Sequence, residues 1–320
     1  PSLWCHAPRG VVLAQGHSRF GTSSPPAELE THPHQWSPPA RLTAWSNEGG
    51  GSWARKTLPC TLTITHNGDF DAWRPHRDTS VGVGDLGLWL DRVLGVRHKA
   101  SGDSPKIAGV LELLACQGVW LHAVRLAYHL HVACHVEQAS GWMALSPKAP
   151  HTVPDRATLR AWADAMDAEF AVLVESSPVD DPSAHPLEAG HARFELFVRS
   201  AVERLNEGTA GAGLRRWVPK AKQEVFVRAA ADAFRDNDLV AATVAFLRRA
   251  EGTFGMSVTS TLCPETVLLA ARGQPMSVGF GGLSRGGSPS LAVWSSEPAS
   301  LQPPRGSASA AVSARLDLDD

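Results

Sequence analysis

Cys60-Thr61-Leu62-Thr63-Ile64-Thr65-His66-Asn67-Gly68 is the stretch on which the reading of this chain turns. Apolar and hydroxyl side chains alternate from Cys60 to Thr65, the period-2 pattern of a strand with one face toward a core. The strand stops at His66-Asn67-Gly68, where Asn and Gly tolerate the positive φ of a sharp turn. Downstream the period lengthens. Leu86, Trp89, Leu90 and Val93 fall on one face of a helix predicted from Asp85 to Leu94. A second helix begins at Pro105, with Asp103 or Ser104 as its cap and Ile107, Val110, Leu111 and Leu114 as its apolar stripe.

Residues 117–236 read as mostly helical: Leu159, Trp162, Met166, Phe170 and Leu173 recur at helical spacing, as do Phe194, Phe197, Ala201 and Leu205. A helix from Asp238 to Arg249 follows. The pattern then returns to short β-prone runs, Thr253–Thr261, Val267–Ala271, Ser277–Phe280 and Leu291–Ser295, broken by Gly or Pro, as in an antiparallel sheet. Before Cys60 the chain is rich in Pro, Gly, Ser and Trp; Pro38-Pro39 and Gly49-Gly50-Gly51 mark loops. Residues 303–320 have the Ser/Ala-rich composition of a disordered tail. The fold class expected is α+β.

Composition narrows the function classes. The 320 residues are 43% hydrophobic and 19% charged, ordinary for a soluble domain with a sizeable core. A formal charge of -2, from 30 basic and 32 acidic residues, gives no basic surface for nucleic acid or anionic membrane. Five scattered cysteines make no disulfide framework and fit a reducing compartment, hence a cytoplasmic reading. Val119–Val136 is apolar for much of its length but carries His122, Arg125, His129, His131 and His135, so a buried helix is expected rather than a membrane span. The chain opens at Pro1 without a signal pattern, which reads as a cut rather than a natural terminus.

Singly, the local motifs have plain structural readings. Gly16-His17-Ser18-Arg19-Phe20-Gly21-Thr22 is an arginine in a small-residue loop, and Thr31-His32-Pro33-His34 is a Pro-kinked pair of histidines without a third ligand nearby. Their order carries more. Together with Ile64-Thr65-His66-Asn67-Gly68 and Asp103-Ser104-Pro105, they resemble, in sequence, the arginine segment, the His-Pro-His element, the His-Asn-Gly strand end and the acidic helix start of class-II glutamine amidotransferases. Glu251-Gly252-Thr253-Phe254-Gly255, the run Pro264–Gly273, Met276–Gly281 and Trp294–Glu297 are similar to that family's C-terminal strand elements.

The resemblance implies an N-terminal-nucleophile hydrolase sandwich, two antiparallel sheets flanked by helices and incomplete at the N-terminus. Its segments would be 1–116 and 238–302, with 117–237 as a helical insertion. It implies hydrolysis of L-glutamine to glutamate and ammonia, the ammonia passing to an acceptor or synthase domain that the sequence does not identify. Asn67 and Gly68 would donate to the tetrahedral oxyanion. Arg19 would pair with the α-carboxylate of glutamine, Asp103 would accept from its α-ammonium, and Thr22 would add backbone contacts. The family's nucleophile is an N-terminal cysteine whose own α-amine is the base. Cys5, in Trp4-Cys5-His6-Ala7-Pro8, does not match that opening, so the nucleophile is expected outside this sequence and the fragment is expected to be inactive. No cofactor and no metal is expected; the histidines around His131 and Cys134-His135 are read as helix packing. A non-catalytic scaffold with an amidotransferase-like domain is the alternative.

Overall fold

The computed structural model describes residues 15, 30–47, 53–76, 79–133, 153–176, 191–207, 214–283, 289–297, 301 and 312–318. It is an α+β protein with several antiparallel sheets. The first is a hairpin of β1 (Ala40–Asn47) and β2 (Trp53–Cys60), in continuous register from Ala40↔Cys60 to Asn47↔Trp53. The loop-like composition before Cys60 concealed it, and Cys60 ends β2 rather than beginning the next strand. That strand, β3 (Leu62–Asn67), is followed by β4 (Phe70–His76) and β5 (Thr79–Gly82).

Two helices then cover the sheets. In α1 (Val83–Leu94), Leu86, Trp89, Leu90 and Val93 are buried, as their spacing requires, and Gly95 closes the helix in the left-handed region. Helix α2 (Ser104–Leu114) is central. The Asp103 carboxylate caps it by accepting from Ser104 N, and Pro105 sits in its first turn, where a missing N–H costs nothing. The expected one-sided stripe is exceeded: Ser104 to Leu111 are all buried, Lys106 included. The Lys106 ammonium donates to the Ser101 and Gly102 carbonyls, each at 2.7 Å.

Between 119 and 238 the described residues form helices: α3 (Trp120–Ala127) with a π-helical continuation (Tyr128–Ala133), α4 (Arg156–Glu175), α5 (His191–Glu207), α6 (Leu214–Trp217) and α7 (Lys220–Asp236). No described helix is long and apolar enough to cross a membrane. An aromatic cluster binds this layer to the β1–β2 hairpin. Trp120 stacks on Phe234 with ring centroids 3.9 Å apart, Trp53 stacks on Phe234, and Phe170 meets Trp45 edge-on at 4.9 Å. Asp167 closes the seam, accepting from Trp45 Nε1 at 2.6 Å and from Arg55 at 2.5 Å.

After α8 (Leu239–Leu247), capped by Asp238, come β6 (Ala250–Gly252), β7 (Phe254–Ser260), β8 (Val267–Arg272), β9 (Met276–Leu283), β10 (Pro289–Ser295) and β11 (Val312–Leu318). The remaining sheets have the orders β3-β7-β8, β5-β4-β6 and β10-β9-β11. Strand β11 corrects the expectation of a disordered tail over 303–320: it pairs with β9 from Val312↔Gly281 to Leu318↔Met276. Val312, Ala314, Leu316 and Leu318 alternate with Arg315 and Asp317, a period-2 run that overrides the bulk composition of the tail.

Candidate functional site

The candidate site is built on β3 and what lies across from it. Strand alternation sends Leu62, Ile64 and His66 into the core and leaves Thr61, Thr63, Thr65 and Asn67 on the opposite face. The antiparallel register with β7 sets Thr63 opposite Thr259, Thr65 opposite Ser257 and Asn67 opposite Gly255. Hydroxyls meet across the first two rungs, 2.7 Å apart at Thr63–Thr259 and 2.8 Å apart at Thr65–Ser257. At the end of the ladder Asn67 Nδ2 donates to Gln274 Oε1 at 3.4 Å.

One side chain lies over this ladder. Gln15 Nε2 donates to Ser257 O at 3.1 Å and to Ser257 Oγ at 2.7 Å, while Gln15 Oε1 stands 3.2 Å from both Thr63 Oγ1 and Thr259 Oγ1.

The turn after β3 is locked by close backbone packing. Gly68 has φ 129°, and a Cβ there would lie 2.2 Å from Thr253 O. Gly252 is its counterpart, with φ 130° and a would-be Cβ 2.1 Å from Asp69 O. Thr253 N donates to Asp69 O at 2.8 Å, so the two segments cross at contact distance only because neither glycine carries a side chain. Arg272, at the end of β8, holds the same corner, donating to Leu247 O and Ala250 O at 2.8 Å each.

Behind the turn is a buried polar network. His66 is 3% exposed. Burial lowers its pKa, against the opposing pull of Asp103, the Thr253 carbonyl and Asp69. Its Nε2 lies 3.2 Å from Thr253 O, and a carbonyl only accepts, so the proton of the neutral ring belongs on Nε2. Nδ1 then accepts from the Ser104 hydroxyl, 3.0 Å away. The Asp103 carboxylate accepts from Ser104 N at 2.7 Å and from Phe70 N at 2.9 Å, and lies 3.2 Å from Ser104 Oγ.

The His-Pro-His element reaches the same strand. His34 exchanges both backbone hydrogen bonds with Ile64, at 2.8 and 2.9 Å, and His66 N donates to His32 Nδ1 at 3.4 Å. Glu30 accepts from Ser101 N, Ser101 Oγ and Gly102 N on the loop before α2. Burial raises its pKa, but those bonds and the nearby His34 outweigh burial and hold the carboxyl below its ordinary value.

Of the residues singled out from sequence, Asn67, Gly68 and Asp103 therefore belong to one neighbourhood. Asp103 is engaged there as helix cap and as acceptor for Phe70. Arg19, Thr22, Cys5 and the Cys134-His135 pair lie outside the described residues. Among the described residues no three His, Cys, Asp or Glu side chains are grouped as a metal site. Sequence reading missed Ser257, Thr259, Gln274 and Gln15 as parts of the site. The alternating hydroxyls of β3 were the available signal; their partners appear only once the register is known.

No family model matches the chain, and no curated protein and no solved structure matches it either. The class that can be stated is that of the fold, α+β with several antiparallel sheets.

Proposed function

We propose that the chain carries a class-II glutamine amidotransferase domain whose half-reaction converts L-glutamine to glutamate and ammonia. The observation that carries this reading is convergence on one strand. Segments that resemble the family one by one, and are separated by up to about two hundred residues, meet at β3: His34 against Ile64, Asn67 against Gly255, His66 against Ser104 and Thr253. The helices between 119 and 238 interrupt this β unit in sequence and leave its strand pairing intact, which is how an insertion behaves. The N-terminal-nucleophile sandwich is the architecture proposed for the β unit.

In the proposed chemistry a cysteine thiolate adds to the side-chain amide carbon of glutamine, and the Asn67 amide and Gly68 N–H donate to the resulting oxyanion. Collapse expels ammonia, protonated on leaving, and water then cleaves the thioester to glutamate. Arg19, Thr22 and Asp103 would hold the amino-acid end of the substrate. The ammonia passes to an acceptor or synthase domain whose chemistry is open.

The thiols among the described residues are poor candidates for the nucleophile. Burial pushes Cys60 up to about 11 and raises Cys116 and Cys263 as well, the opposite of an activated thiol. This, and the engagement of Asp103 by Phe70 N and Ser104, favours a second reading: a non-catalytic amidotransferase-like scaffold. The two separate in one experiment. The transcript is sequenced upstream of Pro1, the complete product is expressed, and glutamate formation from L-glutamine is measured. An amidotransferase forms glutamate, and Asn67→Ala lowers its turnover roughly 10²–10³-fold with the fold retained. No glutamate from the complete, folded product would sink the enzyme and leave the scaffold.

A further inference from the structure

The Gln15 contacts have a chemistry of their own. A primary carboxamide has two N–H donors and a carbonyl oxygen with two lone pairs. On the β3–β7 ladder both N–H donors and the carbonyl oxygen have partners. The NH2 group faces Ser257 O and Ser257 Oγ, at 3.1 and 2.7 Å, and the carbonyl oxygen faces the Thr63 and Thr259 hydroxyls, both at 3.2 Å. The platform is preformed by the sheet: Ser257 is wholly buried, Thr65 is buried beside it, and each hydroxyl is held by its cross-strand neighbour.

We propose that Thr63, Thr65, Ser257 and Thr259 form a binding cradle for a primary carboxamide, which the chain's own Gln15 fills in cis. The ligand class is the side-chain amide of glutamine or asparagine. Its carboxylic acid counterpart is excluded, because a carboxylate would set a second oxygen against the Ser257 carbonyl, with no proton between them. A site that pairs every polar group of one ligand leaves those groups unpaired against its isostere, and discriminates accordingly. The cradle lies two residues along β3 from Asn67, about 7 Å per such step, so it is separate from the turn at Gly68 and does not depend on glutaminase activity.

The test is binding, so it fails or succeeds apart from any measurement of ammonia. Gln15→Ala and the unaltered protein are titrated with propionamide and with propionate, following backbone amide NMR shifts of Thr63, Ser257 and Thr259. The expected result is saturable propionamide binding by Gln15→Ala, roughly millimolar for so small a probe. Propionate binds it at least about tenfold more weakly. The unaltered protein also binds propionamide at least about tenfold more weakly, because the resident amide competes. A folded Gln15→Ala that takes up neither probe, or takes up both equally, overturns the proposal and leaves Gln15 a structural tether. Should Gln15→Ala not fold, the unaltered protein carries the test through its Gln15 side-chain NH2 resonances. Excess propionamide moves them to the positions of a solvated glutamine and propionate does not; no movement with either overturns the cradle.

Discussion

His66 and His129 are almost equally buried, at 3% and 2% exposure, yet they sit in opposite kinds of surroundings. His66 has both ring nitrogens engaged, by Ser104 and Thr253, and has the carboxylates of Asp103 and Asp69 close enough to favour its charged form. His129, in the π-helical continuation of α3, is desolvated and faces the cations Arg125 and Arg92. The first neighbourhood holds polar groups in position; the second, with Arg125 already buried in it, disfavours a further positive charge. Chemistry that needs oriented donors belongs to the sheet, and the helices supply cohesion. Three perturbations probe the contrast.

Acid is expected to have the largest effect, and to act through the helices. Burial first, then the charge of Arg125, takes both His122 and His129 down to about 3. In the unfolded chain these imidazoles bind protons below about pH 6.5, while the folded protein refuses them until far lower. Their contribution to stability is therefore complete above about pH 6.5 and is lost as pH falls toward 3. Between pH 6.5 and 4.5 the two together should remove roughly 4–5 kcal/mol. Urea unfolding at the two pH values measures this together with the smaller losses from His66 and His98, whose pKa burial also lowers, and His129→Leu should reduce the drop by roughly 2 kcal/mol. Equal stability at both pH values would mean that neither histidine is held neutral in the folded state.

The sheet breaks differently. Gly68→Ala puts a Cβ 2.2 Å from Thr253 O at φ 129°, so the crossing with Gly252–Thr253 must open. The expected loss is roughly 2–4 kcal/mol, insensitive to pH between 6.5 and 8, because its cause is steric. Gly84→Ala serves as control: nothing lies within 4 Å of its would-be Cβ in the first turn of α1. There the change should be neutral or stabilising by roughly 0.5–1 kcal/mol. If Gly68→Ala behaves like Gly84→Ala, the turn is not locked by contact with Thr253.

What the sequence disclosed follows from how local each signal is. The helices were legible because Trp89, Trp162, Phe170 and Phe197 mark their buried faces within a few residues of chain. Asn67-Gly68 was legible as a turn, and Asp103 as a cap, for the same reason. The β1–β2 hairpin was not. Pro38-Pro39 and the glycines at 49–51 dominate its composition, and Trp45 is buried beside Ala44, which blurs the alternation that names a strand. The tail strand β11 was hidden by Ser- and Ala-rich flanks. The hydroxyl ladder was half legible: Thr61, Thr63 and Thr65 announce one side. The other side lies some two hundred residues away, and only the register Thr65↔Ser257 brings it into place. Gln15 carries no local pattern at all.

The smallest effect falls where the two neighbourhoods touch. Asp103 joins them: it accepts from the buried Phe70 N at 2.9 Å and, as cap of α2, from the backbone N–H of Ser104, the residue whose hydroxyl bonds His66. Asp103→Ala removes the cap and leaves the Phe70 N–H without its acceptor, for an expected loss of about 1–2 kcal/mol in urea unfolding. Asp103→Asn should recover most of that, since an amide oxygen caps as well and reaches one of the two donors. The pair separates geometry from charge. If Asn restores stability, Asp103 acts through its hydrogen bonds, as the cap geometry requires. If Asn is as damaging as Ala, it is the negative charge that matters, acting on the imidazole of His66 and the ammonium of Lys106, both of which Asp103 favours in charged form against their burial. That outcome would make the sheet neighbourhood an electrostatic site rather than only a well-bonded one.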